Sequence, residues 1–300
     1  MKILVTGTEG QVVTALRHRC AECGDLDLVT VGRPELDLSK PEDIAETIVS
    51  HRPDIVVSAA AWTAVDLAED EPDLAMRING EGAGQVARGA ALVGAPVIHL
   101  STDYVYDGLK PAAWTEDDAV NPLSVYGRSK LAGERRVIEE NPRHVILRTA
   151  WVYSPFGKNF VRTMLQLAQT REELTIVDDQ YGCPTSAFDL ADGVLAVVQK
   201  LSAPSAADDN VWGVYHLTGT GTATWCDLAR EVYRQSRGLN LPSARVKPVG
   251  TDAFPTKAVR PRNSRLDCSK LESVFGFRCP PWSVSLEECL KEIARENGGP

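Results

Sequence analysis

The chain has 300 residues, 43% of them hydrophobic, and 32 basic against 41 acidic side chains give it a net charge of −9. That balance argues against nucleic acid or an anionic membrane as partner, and no apolar run reaches bilayer-spanning length. Any anionic ligand must therefore meet donors placed locally.

The opening MKILVTG runs straight into a glycine turn and reads as a strand, not as a signal peptide. The runs KILVTG (2–7), DLVTVG (27–32), DIVVSAAA (54–61), PVIHLST (96–102) and HVILRTAW (144–151) are rich in Val, Ile and Leu. Amphipathic stretches at 11–22, 41–51, 72–93 and 124–140 separate them. Continuous apolar strands alternating with helices predict an α/β fold, a doubly wound parallel sheet covered on both faces. Ligands of such a sheet lie at the carboxyl ends of its strands.

The pattern changes after residue 152. SPFGKNFVRTMLQLAQ predicts a helix, LTIVDDQYGCPT an extended segment with a turn, and FDLADGVLAVVQKL another helix. SAPSAADDN (202–210) reads as a polar loop, and GVYHLTG (213–219) as a strand returning to the main sheet. ATWCDLAREVYRQSRG and SVSLEECLKEIAREN predict two more helices around a Pro-rich, basic connection. The expected organisation is a dinucleotide-binding part over 1–152, with 186–219 returning to it. A smaller, discontinuous substrate-binding part covers 153–185 and 220–300. The seven cysteines, odd in number and without a framework, suit a reducing cytoplasm. HRCAEC (18–23) holds half of a zinc-type spacing, but no second pair follows, so buried thiols are expected there.

Four motifs carry chemistry. In VTGTEGQVV, Gly7 and Gly10 lie between a strand and a helix, where a tight turn presents N–H groups to a pyrophosphate. Gln11 is placed to hydrogen-bond near the phosphates, and Val13 stands where a third glycine usually allows close helix packing. In VVSAAAWTAVD, three alanines ending a strand offer a small-residue wall on which a nucleotide can lie. In HLSTDYVYDG, Ser101 and Thr102 put a hydroxyl at the end of the fourth strand. In SVYGRSKLAGE, Tyr126 and Lys130 share one helix face. An ammonium near a phenol favours phenolate, and such a tyrosine can protonate a carbonyl oxygen as hydride reaches the carbon. Each motif alone has an ordinary structural explanation: turn glycines, packing alanines, turn-capping hydroxyls, a solvated helix face. The combination is what is specific.

That combination resembles the extended short-chain dehydrogenases/reductases, and within them the dTDP-4-dehydrorhamnose reductases. The matching stretches are TGTEGQ, SAAAWTAVDLAE, STDYVYDG, NPLSVYGRSKLAGE, LRTAWVY, DDQYGCPTSAFDLA and RPRNSRLDCSKL. The resemblance implies a Rossmann-like fold and a cytoplasmic enzyme. That enzyme reduces the 4-keto group of dTDP-4-dehydro-β-L-rhamnose with a nicotinamide cofactor. Thr102, Tyr126 and Lys130 would be catalytic. Gly10, Gln11, Val12, Ala60, Ala61 and Trp62 would line the cofactor, with Trp62 in place of the usual histidine. Asp103 and Trp151 would touch the sugar nucleotide, and Arg262 or Arg265 its diphosphate. Strand two ends in Gly32 and Arg33, its acids Asp25 and Asp27 lying at or before its start. An arginine there suits the 2′-phosphate of NADPH, with NADH also accepted, while Asp37 and Leu38 lie beside the adenine. Some members of the subfamily pair through magnesium held by carboxylates. Ala15 and Phe188 stand where two of those would be, so no metal is expected, and homodimerisation stays open. Two rivals remain: a reductase of another 4-keto-6-deoxy nucleotide sugar, and a non-catalytic regulatory subunit of the methionine adenosyltransferase type.

Overall fold

A computed structural model describes residues 1–21, 26–203 and 211–296. Cys23 and Asp25, and most of the 202–210 stretch, lie outside these residues. The central sheet has six strands: β1 (Lys2–Thr6), β2 (Asp27–Val31), β3 (Ile55–Ser58), β4 (Val97–Thr102), β5 (His144–Thr149) and β6 (Gly213–His216). Their spatial order is β2-β1-β3-β4-β5-β6, and every pairing is parallel. β3 and β4 are buried along their whole length. That is why they read as mainly apolar runs and not as alternating ones, although β4 also buries His99, Ser101 and Thr102.

The longer helices are α1 (Gln11–Ala21), α2 (Pro41–His51), α3 (Ala83–Leu92), α4 (Val125–Glu140), α5 (Phe160–Ala168), α6 (Ala187–Ser202), α7 (Trp225–Ser236) and α8 (Trp282–Glu296). Their starts are written locally. Pro41 opens α2 with Glu42 and Asp43 in its first turn, where a helix dipole favours acids. The side chains of Ser124, Asn159 and Ser186 each accept a backbone N–H at the starts of α4, α5 and α6. Thr224 and Asp227 form a capping box on α7.

The amphipathic stretch 72–93 is not one regular helix. Pro72–Met76 and α3 flank a π-helical segment, Arg77–Gly82. Such insertions change which side chains face the neighbouring elements, and here the change turns Asn79 inward.

One face of the sheet buries Val13, Leu16, Val57, Leu147, Leu190 and Val194, and the other Ile44, Val56, Val86, Val97 and Ile146. A separate core joins Val161, Leu165, Val232, Cys289 and Leu290 from α5, α7 and α8. Around it run short strands. Glu173–Val177 pairs with Arg245–Val249, and Tyr181–Gly182 with both Ala223–Thr224 and Asn263–Ser264. This second core sits against the sheet through Val152–Tyr153, which pairs with Thr185–Ser186.

Candidate active site

In this strand order β1 lies between β2 and β3, so the chain leaves β1 at a topological switch point. Gly7 and Gly10 take φ of 98° and 126°, a region closed to most side-chain-bearing residues. The Gly7 N–H donates to the Val31 carbonyl at 2.6 Å. The Thr6 hydroxyl accepts from the N–H groups of Ala59 and Ala60, both at 3.0 Å. These bonds lash together the ends of β1, β2 and β3.

Above them opens a cleft of about 900 Å³. It is lined by Gly7, Gly10, Gln11, Val12, Arg33, Asp37, Leu38, Ala60, Ala61, Trp62, Tyr126 and Lys130, so every residue expected beside a cofactor comes to one place. Of these, Gln11 departs from expectation, and Asp37 makes a local contact besides lining the cleft. The Gln11 amide is engaged away from any phosphate: its oxygen accepts from Ser154 Oγ at 2.8 Å and its nitrogen donates to the Val152 carbonyl at 3.4 Å. Asp37 closes a turn by accepting from the N–H and hydroxyl of Ser39 at 3.0 and 2.8 Å, which holds its carboxyl below the usual range. Arg33 remains exposed on the rim.

The structure adds residues that the motifs did not reveal. Asn79 is buried and spans two walls. Its Oδ1 accepts from Trp62 N at 2.8 Å, and its Nδ2 donates to the Trp62 carbonyl and Ser129 Oγ at 3.0 and 2.9 Å. It thereby fixes the Trp62 loop to the helix that carries Tyr126 and Lys130. The only sign in the sequence is an amide between Ile78 and Gly80, flanked further out by the charged Arg77 and Glu81. Lys158 also lines the cleft and brings a cation to the neighbourhood of the glycine turn.

Tyr126 and Lys130 lie one turn apart on α4. Thr102 hydrogen-bonds the Tyr126 phenol, accepts from Tyr104 N at 3.2 Å and donates to Asp103 Oδ1 at 3.1 Å. Burial pushes the phenol up to about 12, the Thr102 bond pulling the other way and the Asp103 charge adding to the rise. The expectation that Lys130 lowers this pKa is therefore not met. Its Nζ donates instead to the Leu100 carbonyl at 2.6 Å and approaches His99 Nε2 at 3.4 Å. Burial brings Lys130 itself down to about 8, with Glu134 one turn further along opposing the shift. Such a tyrosine stays protonated at neutral pH, the state an acid requires.

Ser101 does not share the role of Thr102. Its hydroxyl donates to Glu134 Oε1 at 2.5 Å, and Glu134 takes a two-point contact from Arg148 at 2.9 and 2.6 Å. This buried pair is braced by Tyr106, whose hydroxyl meets Arg148 Nη1 at 2.7 Å and His216 Nε2 at 2.8 Å.

On the side facing the second core, Asp103 is buried, which pushes its carboxyl up to about 6 against the pull of the Ser264 and Thr102 hydroxyls. Trp151, at φ 50°, stacks on Trp225 with ring centroids 3.6 Å apart. A Cβ on Gly182 would stand 2.4 Å from the Trp151 ring, so only glycine fits beneath it. Of the two expected arginines, Arg262 is exposed. Arg265 is bound to Asn263 Oδ1 at 2.7 Å and to the Pro111 carbonyl, in a separate hollow beside Thr218 and Cys268. Ala15 and Phe188 are packed in the core, with the Arg19 guanidinium 4.6 Å from the Phe188 ring centre. Among the described residues no group of His, Cys, Asp or Glu is placed to hold a metal, and no helix is long and apolar enough to cross a membrane.

A doubly wound α/β sheet with a glycine turn at its switch point and a Tyr-x3-Lys helix beside it defines the dinucleotide-binding reductase class. Residues 1–295 match the family of the RmlD substrate binding domain. The chain is 46% identical to a dTDP-4-dehydrorhamnose reductase of Sinorhizobium fredii, with 99% of each covered. It is 44% identical to the one of Escherichia coli K12, with 98% of each covered. The dTDP-4-dehydrorhamnose reductase structure from Clostridium acetobutylicum superposes with a TM-score of 0.90 at 37% identity, covering 98% of this chain and 99% of that one. The one from Bacillus anthracis, in complex with NADP, gives 0.89 at 33% identity, covering 97% and 99%. The chain belongs to the dTDP-4-dehydrorhamnose reductase family.

Proposed function

We infer that this protein reduces the 4-keto group of dTDP-4-dehydro-β-L-rhamnose to give dTDP-L-rhamnose, in the cytoplasm, with NADPH as the preferred reductant and NADH accepted. The observation that carries the reading is the junction of the glycine turn, the cleft and the Thr102–Tyr126–Lys130 cluster in a chain related to such reductases over its full length. The cleft suits a dinucleotide: nothing lies within 4 Å of where a Cβ on Gly10 would stand, so a phosphate can approach the turn. Gly7, Gly10, Val12 and Lys158 would hold the pyrophosphate, with Arg33 at a 2′-phosphate, Asp37 and Leu38 at the adenine, and Ala60, Ala61 and Trp62 along the middle. Gln11 would shape the cleft through Ser154 and not touch phosphate. When bound, the nicotinamide supplies the hydride.

The chain's own residues do the rest. Tyr126 gives its phenolic proton to the C4 oxygen, and Thr102 orients the phenol and polarises that oxygen. Lys130 keeps a positive charge beneath them and binds ribose. Asp103, Trp151 and Arg262 orient the sugar nucleotide. Residues 1–152 with 186–219 would form the cofactor part, and 153–185 with 220–300 the substrate part. In an assay of reduced-nicotinamide absorbance with enzymatically made dTDP-4-dehydrorhamnose, the wild type should consume cofactor and yield dTDP-L-rhamnose. Tyr126→Phe should lose about 10²–10⁴-fold in kcat with NADPH affinity retained. No cofactor consumption by the wild type refutes the activity, and full turnover by Tyr126→Phe places the acid elsewhere.

A further inference from the structure

Lys130 is buried, with 3% of its surface exposed, and a buried ammonium is costly unless its N–H groups find acceptors. The backbone supplies one acceptor, the Leu100 carbonyl at 2.6 Å. The other is a side chain that the mechanism above leaves unused. His99, in the middle of β4, is 1% exposed, and its Nε2 stands 3.4 Å from Lys130 Nζ. Its Nδ1 lies 3.0 Å from the hydroxyl of Ser58, the last residue of β3. An ammonium can only donate, so Nε2 must accept, and the ring proton must sit on Nδ1 and point to Ser58 Oγ. Burial and the adjoining Lys130 charge hold the imidazole well below its ordinary pKa, which keeps that neutral form in place.

We propose that His99 is a positioning residue for Lys130: fixed by Ser58 with its proton on Nδ1, it offers Nε2 as a rigid acceptor, so that the remaining N–H of the ammonium faces the cleft. A lysine tail has four rotatable bonds, and two fixed acceptors on β4 remove most of that freedom before any ligand arrives. The charged and titratable groups around Lys130 are His99 from β4, Tyr126 and Glu134 from its own helix, and Arg148 from β5 behind Glu134. Of these, Glu134 favours the ammonium through its charge but is itself bonded to Arg148 and Ser101, so His99 is the side chain that meets the ammonium directly and can aim it.

The test is the alkaline loss of NADPH binding, followed by cofactor fluorescence, and of kcat/KM in the reductase assay. In the wild type both should fall as Lys130 loses its proton, near pH 8. In His99→Phe the ammonium lacks an acceptor, so its proton leaves more easily and the midpoint should move down by about one pH unit. In His99→Gln an amide oxygen reaches the place of Nε2, and the midpoint should return to that of the wild type. An unchanged midpoint in His99→Phe overturns the proposal, and so does an equal shift in the Phe and Gln variants, which would mean that only packing was lost. Should His99→Phe fail to fold, Ser58→Ala removes the partner that fixes the tautomer. It should move the midpoint in the same direction by less, and no movement there is equally fatal. The kinetic arm rests on the reductase reading. If the wild type turns over no sugar nucleotide, that reading fails while the NADPH-binding midpoints still decide the role of His99.

Discussion

At the scale of single residues, the site is governed by charge held out of water. Tyr126 is kept protonated, Lys130 is brought close to its titration point, and Asp103 is pushed up to about 6, all three by burial first. Asp103 offers the clearest consequence for stability. Its folded pKa lies above the unfolded value of about 3.9, so the folded state binds the extra proton between those values. Its contribution is therefore most favourable below about pH 4 and is lost as pH rises through about 6. Asp103→Asn removes the charge while an amide oxygen can still accept from Thr102. The variant should be more stable than the wild type at pH 7, by on the order of 1–3 kcal/mol, and no more stable at pH 3.5. Denaturant titrations of both proteins at the two pH values check this. A difference that does not change with pH would show that the carboxylate is not the cause.

At the scale of elements, what positions the chemistry is the close seating of α4 on the π-helical segment. A Cβ on Gly133 would stand 2.1 Å from the Asn79 carbonyl oxygen, a backbone atom that cannot step aside. Helix propensity alone makes Gly133→Ala stabilising by about 1 kcal/mol, whereas the clash makes it destabilising by about 1–3 kcal/mol. The clash should win. The melting temperature should fall, and NADPH should bind more weakly, because α4 carries Lys130 and α4 and Asn79 move apart. A higher melting temperature would mean that the two segments are less tightly apposed. This contact also marks where the sequence stops being informative. The glycine turn, the helix caps and Tyr-x3-Lys are short patterns whose members act on near neighbours, so they are legible without coordinates. The partners of Asn79 are 17 and 50 residues away, those of His99 are 31 and 41, and Trp151 meets Trp225 across the second core. No local spacing encodes such pairs. The misjudged pKa of Tyr126 has the same origin: helical periodicity places Lys130 one turn away, but only the course of β4 shows its ammonium captured by Leu100 and His99.

At the scale of the whole molecule, the segment 257–265 leaves the second core and reaches back to the short helix Val65–Ala68 that follows β3, and to Asp70 just beyond it. Arg260 meets Asp66 at 3.2 and 2.7 Å, Ala258 N donates to Asp66 Oδ1 at 3.1 Å, and Lys257 meets Asp70 at 2.5 and 2.6 Å. Arg260 also hydrogen-bonds Tyr104, whose ring meets that of Tyr126 edge-on with centroids 5.5 Å apart. Lys257 and Asp70 are largely exposed, so that pair contributes little to stability. Arg260 and Asp66 are better shielded and share a two-point geometry, which makes them the part of the clasp that sets position. The segment carries Arg262, proposed to meet the sugar nucleotide, and its contacts named above are to Asp66, Asp70 and Tyr104 and not to the glycine turn. Loosening it should weaken substrate binding equally in the ground and transition states, which raises KM and leaves kcat nearly unchanged. For an interaction of about 1 kcal/mol the rise is roughly fivefold. Arg260→Gln and Asp66→Asn should each raise the KM for the sugar nucleotide by about that factor, at unchanged NADPH affinity. Because the two groups act as one contact, the double variant should be no worse than either single one. Additive losses in that cycle, or an equal loss of NADPH affinity, would mean that the pair acts on the fold at large and not on the seating of the substrate segment.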